Sequence, residues 1–176
     1  MQRLTLIIGN RNTILWILAG LNLVIIAIMQ SFGPSLKPFS IIGFEFAGTS
    51  EQARLIINTW NENGVLNSVY FLIGFDYLFM ITYSAFLWLA CRVVADGLSG
   101  SLQRVITIVA WLQPLAGLLD AVENLSLYQM VAGSSKPIWP MLSVMCAIPK
   151  FTIALTGVTV MIVGSILQRM TKKKTT

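Results

Sequence analysis

The chain contains no histidine and only two cysteines, and charged residues make up just 11% of its 176 positions. Without histidine it lacks the commonest metal ligand, the usual haem axial ligand and the default general base near neutral pH. Soluble domains carry about 25% charged residues, so the shortage of charge excludes an ordinary cytosolic enzyme, a nucleic-acid module and a disordered chain. Any chemistry falls to carboxylates, one lysine, tyrosines or the thiols. No Gly-rich phosphate loop, metal-ligand spacing or nucleophile motif appears, so no cofactor, metal or catalytic set is expected, and nucleic acid is excluded as a partner. In the topology derived below, Cys91 and Cys146 fall near opposite membrane faces. A disulfide needs Cα atoms about 4.4–6.8 Å apart, so both are expected to be free, buried thiols.

What the chain has in abundance is apolar surface, with 56% of its residues hydrophobic. A helix needs roughly 20 apolar residues to cross a hydrocarbon core, and four stretches qualify: Thr13–Phe32, Asn67–Cys91, Val105–Gln129 and Ile138–Leu167. The expected fold is an all-α membrane protein, a four-transmembrane-helix bundle forming one domain over residues 1–176. The first stretch is longer than a signal-peptide core and no small-x-small cleavage site follows, so it reads as a retained helix. Arg3, Arg11, Arg92, Arg104, Arg169, Lys172, Lys173 and Lys174 fall on one side of the bundle, against Lys37, Arg54 and Lys136 on the other. This asymmetry predicts that both termini are cytoplasmic. The Lys172–Lys174 run reads as an anchor to anionic lipid. The compartment expected is a bacterial inner membrane. In a eukaryote, the ending Lys173-Lys174-Thr175-Thr176 matches a dilysine signal for the endoplasmic reticulum.

The connection between the second and third spans is short and rich in glycine and serine. The outer loop, 33–66, is the only long one. Pro34 and Pro38 interrupt it, Thr49 or Ser50 with Glu51 and Gln52 offers a helix start, and Asn63-Gly64 offers a stop. Leu55, Ile56, Ile57 and Trp60 share a face between them. A short amphipathic helix over 50–63 is therefore expected, lying on the interface or capping the bundle. Glu45, between Phe44 and Phe46, reads as a solvated loop charge or one lining an entrance.

The informative residues are those inside the spans. A charge near the bilayer centre costs about 2.5–3.5 kcal/mol on insertion scales, yet Asp76, Asp120, Glu123 and Lys150 all lie there. Counting from the outer helix ends at about 1.5 Å per residue puts Asp76, Asp120 and Lys150 roughly 13–15 Å deep. Gln113, Gly117, Asp120, Glu123, Asn124 and Leu127 follow one stripe of the third span, while Ile73, Asp76, Met80 and Tyr83 form a row on the second. A polar core between the second, third and fourth spans follows, with the first span and Asn22 closing the bundle. Pro114 and Pro149 free backbone carbonyls that Lys150 or a ligand can use. The candidate ligand- or ion-binding set is Asp76, Asp120, Glu123, Asn124, Lys150, Tyr83 and Gln113. Lys150 with Asp120 also fits a buried salt bridge that sets register, and Asn124 fits a partner that orients Glu123 or bridges helices. Three carboxylates against one ammonium leave two negative charges uncompensated, so protonation, a cation or a ligand amine must balance them.

Asp76, Asp120-x-x-Glu123-Asn124, Lys150-Phe151 and the stretch Gly43-Phe44-Glu45-Phe46-Ala47-Gly48-Thr49 resemble a pattern in uncharacterised bacterial four-span membrane proteins, which implies these same residues and no particular activity. In layout the chain also resembles, more loosely, the EXPERA-type fold of the emopamil-binding protein and its relatives. That likeness implies a carboxylate-lined pocket for sterols or amphipathic amines. Those isomerases use a histidine and a tryptophan beside paired carboxylates, and the histidine is missing here.

Three functions fit these features. The protein binds or transports a cation, a proton or an amphipathic, lipid-like molecule. Alternatively it is an accessory subunit docked on a membrane-protein partner. The third is an intramembrane enzyme using Asp120 and Glu123 as acid and base, one helical turn apart. Membrane lipid is a partner in each.

Overall fold

The computed structural model describes residues 2–173 and is all-helical over them. Six helices are present: α1 (Gln2–Ser31), α2 (Ile41–Glu45), α3 (Ser50–Glu62), α4 (Leu66–Asp96), α5 (Gly100–Val131) and α6 (Ile138–Lys173). A 3-10 turn at Gly33–Leu36 joins α1 to the α2 segment. The side chains of Arg3, Arg169, Lys172 and Lys173, and the whole of Lys174, lie outside what is described.

Four helices, α1, α4, α5 and α6, are long and apolar enough to cross a membrane. Each runs past its expected span at one end or both, because backbone hydrogen bonding does not stop where the side chains turn polar; α1 stops at Ser31, one residue short of the expected Phe32, and α6 starts at Ile138 as expected. The link between α4 and α5 thereby shrinks to Gly97, Leu98 and Ser99. α4, α5 and α6 pack mutually, whereas α1 packs chiefly along α4. At the end near the chain termini, Arg11 pairs with Asp96 at 2.7 Å, tying the first half of α1 to the end of α4. There too the Gln168 amide donates to the Val93 and Val94 carbonyls at 3.3 and 2.6 Å, joining α6 to the last turns of α4. A small apolar cluster of Cys91, Val94, Ala95, Ile106 and Ala110 fills this end.

The opposite end is closed by the 33–65 connection, which folds down as a cap. α3 caps the bundle, one of its two expected placements. Thr49 Oγ1 accepts the Gln52 N–H at 3.2 Å at its start. At its stop, Gly64 takes a left-handed φ of 68°, and its N–H and that of Val65 bond back to the Asn61 and Trp60 carbonyls. This is the glycine-terminated stop that Asn63-Gly64 foretold. The buried face of α3 is Ala53, Ile56 and Trp60, while Leu55 points away, 58% exposed. Spacing of three and four therefore selects the core face, rather than the apolar cluster Leu55–Ile57 as such. Trp60 packs edge-on against Phe44 and donates from Nε1 to the Leu36 carbonyl at 2.9 Å. Together with Val69, Leu72 and Leu127 they form the larger of the two apolar cores. The cap is thus docked on α4 and α5, and it brings α2 down beside α6.

Candidate functional site

Lys150 sits on α6 directly after Pro149, between the two apolar cores, and is buried to 5% exposure. Its Nζ lies 2.9 Å from Glu123 Oε1, 3.1 Å from Asp120 Oδ1 and 3.5 Å from Glu45 Oε2. An ammonium has three donors, and here it meets three carboxylates. Asp120 and Glu123 reach it together because they lie one turn apart on the face of α5 that meets α6. The carbonyls freed by Pro114 and Pro149, expected as alternative acceptors, are not its partners. The ammonium also lies 4.5 Å from the Phe151 ring centroid, over its face.

Asp76 joins from α4, its Oδ2 accepting from Asn124 Nδ2 at 2.6 Å. Of the two roles expected for Asn124, it fills the helix-bridging one, linking α5 to α4. The structure thus unites Asp76, Asp120, Glu123, Asn124 and Lys150, as their depth and stripe anticipate. Tyr83 also belongs to this region, its hydroxyl buried without a hydrogen-bond partner. Gln113 does not: it is two turns from Asp120 along α5, donating to the Val109 and Ile153 carbonyls at 3.1 and 3.2 Å.

Glu45 corrects the expectation of a solvated loop charge. It is 6% exposed, at the end of α2. Its carbonyl accepts from Ser143 Oγ at 2.9 Å, and neighbouring Phe46 stacks on Phe151. A signal was available, since Glu45 is the sole charge in the otherwise apolar run Ile41–Ala47, and apolar neighbours that bury themselves take a charge with them. Burial pushes its carboxyl above the ordinary 4.5, against the pull of Lys150. The Glu45 and Glu123 carboxyls also face one another within hydrogen-bonding reach; Glu123 Oε2 has no donor, and Glu45 Oε2 has only the 3.5 Å ion pair with Lys150. One proton held between them would satisfy both oxygens. With Glu45 included, the site holds four carboxylates and a single ammonium, with three of the carboxylates in contact with it.

Beside this cluster lies a cavity of about 760 Å³ between α1, α4 and α6, beneath the cap. Volumes of about 300–1,000 Å³ are typical of small-molecule sites. Glu45, Asp76, Asp120 and Lys150 form its polar wall, with Tyr83 beside them, and the remaining surface is mostly apolar. Asn22 of α1 lines it as well, accepting from Thr82 Oγ1 at 3.1 Å. α1 and α6 face each other across this space. Glu123, fully buried behind Lys150, is not on the wall.

Lys150 is occupied by three carboxylates, whereas Asp76 has only a neutral amide as its hydrogen-bond donor. An arrangement of this kind can hold a proton or receive a cationic group on Asp76, with apolar surface around it for the rest of a ligand. Compared with known proteins, the chain matches no family model, and neither a curated protein nor a solved structure matches it.

Proposed function

We propose that this protein is a multi-pass membrane protein, both termini cytoplasmic, that binds an amphipathic, lipid-like molecule between α1 and α6. The ligand's cationic group rests on Asp76. The observation that carries this reading is the shared wall: a large cavity is lined by the surplus carboxylates. A cavity of apolar lining alone accepts hydrocarbon without discrimination. Here a carboxylate without a cation partner stands in it, and desolvation makes such a group costly until a positive charge arrives. Entry is from the lipid, through the space where α1 and α6 face each other. The resemblance in layout to the emopamil-binding fold supports a ligand of the same general kind, without its isomerase chemistry.

The test uses dodecylamine as probe, with protein extracted in mild detergent and binding read by native mass spectrometry. Dodecylamine is expected to bind, dodecanol to bind more weakly, and Asp76→Asn to lower the amine's affinity about tenfold or more. That magnitude follows from a charge-assisted hydrogen bond, worth about 1.5–3 kcal/mol. Asparagine keeps an acceptor for Asn124, so the helix bridge survives. Equal binding of the amine to the wild type and Asp76→Asn would refute the reading.

A further inference from the structure

The ion cluster has two sides. Asp76 and Asp120 stand in the cavity wall, while Glu123 lies behind Lys150 and off the wall. Glu45 belongs to both sides, lining the cavity and meeting the Glu123 carboxyl within hydrogen-bonding reach. Lys150 joins them: its ammonium is close to Asp120 and Glu123, at 3.1 and 2.9 Å, and looser on Glu45, at 3.5 Å. Two carboxyls in contact hold one proton between them, because neighbouring like charges resist ionising together. The charged and titratable groups around this pair are Lys150 and Cys146 on α6, Asp120 on α5, and Asp76 and Tyr83 on α4. The residues of α1 that line the cavity are neutral, and the face that α3 buries is apolar.

Building on the reading above, we infer that the site exchanges a proton for its ligand: a cationic group arriving at Asp76 displaces the proton that Glu45 and Glu123 share. The incoming ammonium takes Asp76 and draws on Asp120 in the same wall. Lys150, relieved of part of Asp120, closes on Glu45, whose carboxyl ionises and gives its proton to water. Charge balances across the step. Before binding, four carboxyl groups sharing one proton carry three negative charges, and Lys150 offsets one of them. Afterwards, four carboxylates face two ammonium groups. The net charge is the same in both states, so the exchange places no additional charge in a desolvated region. By linkage, the bound proton weakens the amine as much as the bound amine weakens the proton.

Dodecylamine is again the probe. Like the lysine side chain, with its ordinary pKa of about 10.4, it enters already charged, so a proton that appears in solution comes from the protein. Calorimetric titration of the detergent-extracted protein in buffers of different ionisation enthalpy counts that proton, with micelles alone as the blank. Between about pH 5 and 8 the wild type should release close to one proton per amine at its maximum, with affinity rising about tenfold per pH unit there. Glu45→Gln puts a permanent donor opposite Glu123, so it should bind the amine without release and without that pH dependence. Glu123→Gln does the same from the other side and serves as the second variant. Wild-type release below about 0.2 proton per amine throughout this range overturns the inference while leaving the amine site standing. Release from both glutamine variants equal to that of the wild type also overturns it, because the proton then comes from elsewhere, such as Asp76 itself. If dodecylamine does not bind, the proposed function itself falls.

Discussion

Lys150 neutralises charge on two other helical segments, α2 and α5, at once, so its removal should be felt far beyond its own contacts. Lys150→Met preserves length and apolar stem but leaves Glu45, Asp120 and Glu123 facing one another in a desolvated place. Breaking a buried pair by removing one partner typically costs about 3–5 kcal/mol. Thermal unfolding in detergent should show Lys150→Met melting well below the wild type, and an unchanged midpoint would mean that the carboxylates are already neutral without it. Glu45 behaves in the opposite sense. Its carboxyl is raised above 4.5 by burial, so the docked segment binds a proton more tightly than an undocked one. Docking is therefore strongest below the ordinary carboxylate range and weakens as pH rises through the raised value. Hydrogen exchange across residues 41–48, corrected for intrinsic rates, should show protection increasing as pH falls toward the ordinary carboxylate range. Glu45→Gln should remove that dependence, and a wild type with none would contradict it.

Among the elements, α3 was legible because its start, its period and its stop are all local: Thr49, the Ala53–Ile56–Trp60 spacing and Gly64. α2 was not. Five residues carry no measurable period, and Ile41–Glu45 is helical because Ser40 Oγ caps it at 3.0 Å and tertiary contacts to α6 hold it. Gln113 shows a related limit. Its stripe was correct, yet azimuth alone does not say which level of α6 a side chain meets, and this amide meets the backbone at Ile153 beside Gly157. There the helices approach so closely that a methyl group on residue 157 would come 2.6–2.8 Å from the Gln113 amide. Gly157→Ala should therefore destabilise the α5–α6 pair by about 1–3 kcal/mol, as overpacking does. Gln113→Ala in the same chain should recover part of the loss, which a double-mutant cycle on thermal stability would measure. Simple additivity of the two changes would place the clash elsewhere.

For the molecule as a whole, the long apolar helices and the meeting of Asp76, Asp120, Glu123 and Lys150 followed from composition, depth and stripe. Each depends on only one helix's geometry at a time. The cavity did not follow, because it exists through the sideways displacement of α1, which packs on α4 and leaves α6 uncovered. No local pattern encodes that choice, since α1 is apolar on most of its described surface and Asn22, which bonds to Thr82 of α4, marks a face without naming the helix it meets. The connectivity of the ion cluster also bears on how the chain is made. Chains are synthesised from the N-terminus, and of the five charged residues Lys150 comes last. Glu45 leaves the ribosome 105 residues ahead of it, and Asp120 and Glu123 are placed in α5 before α6 exists. Until the final helix arrives, the cap has no cation to latch on and the α5 carboxylates have no counter-charge. Insertion of α6 is thus the event that closes the site, and a chain halted before it carries its carboxylates unbalanced.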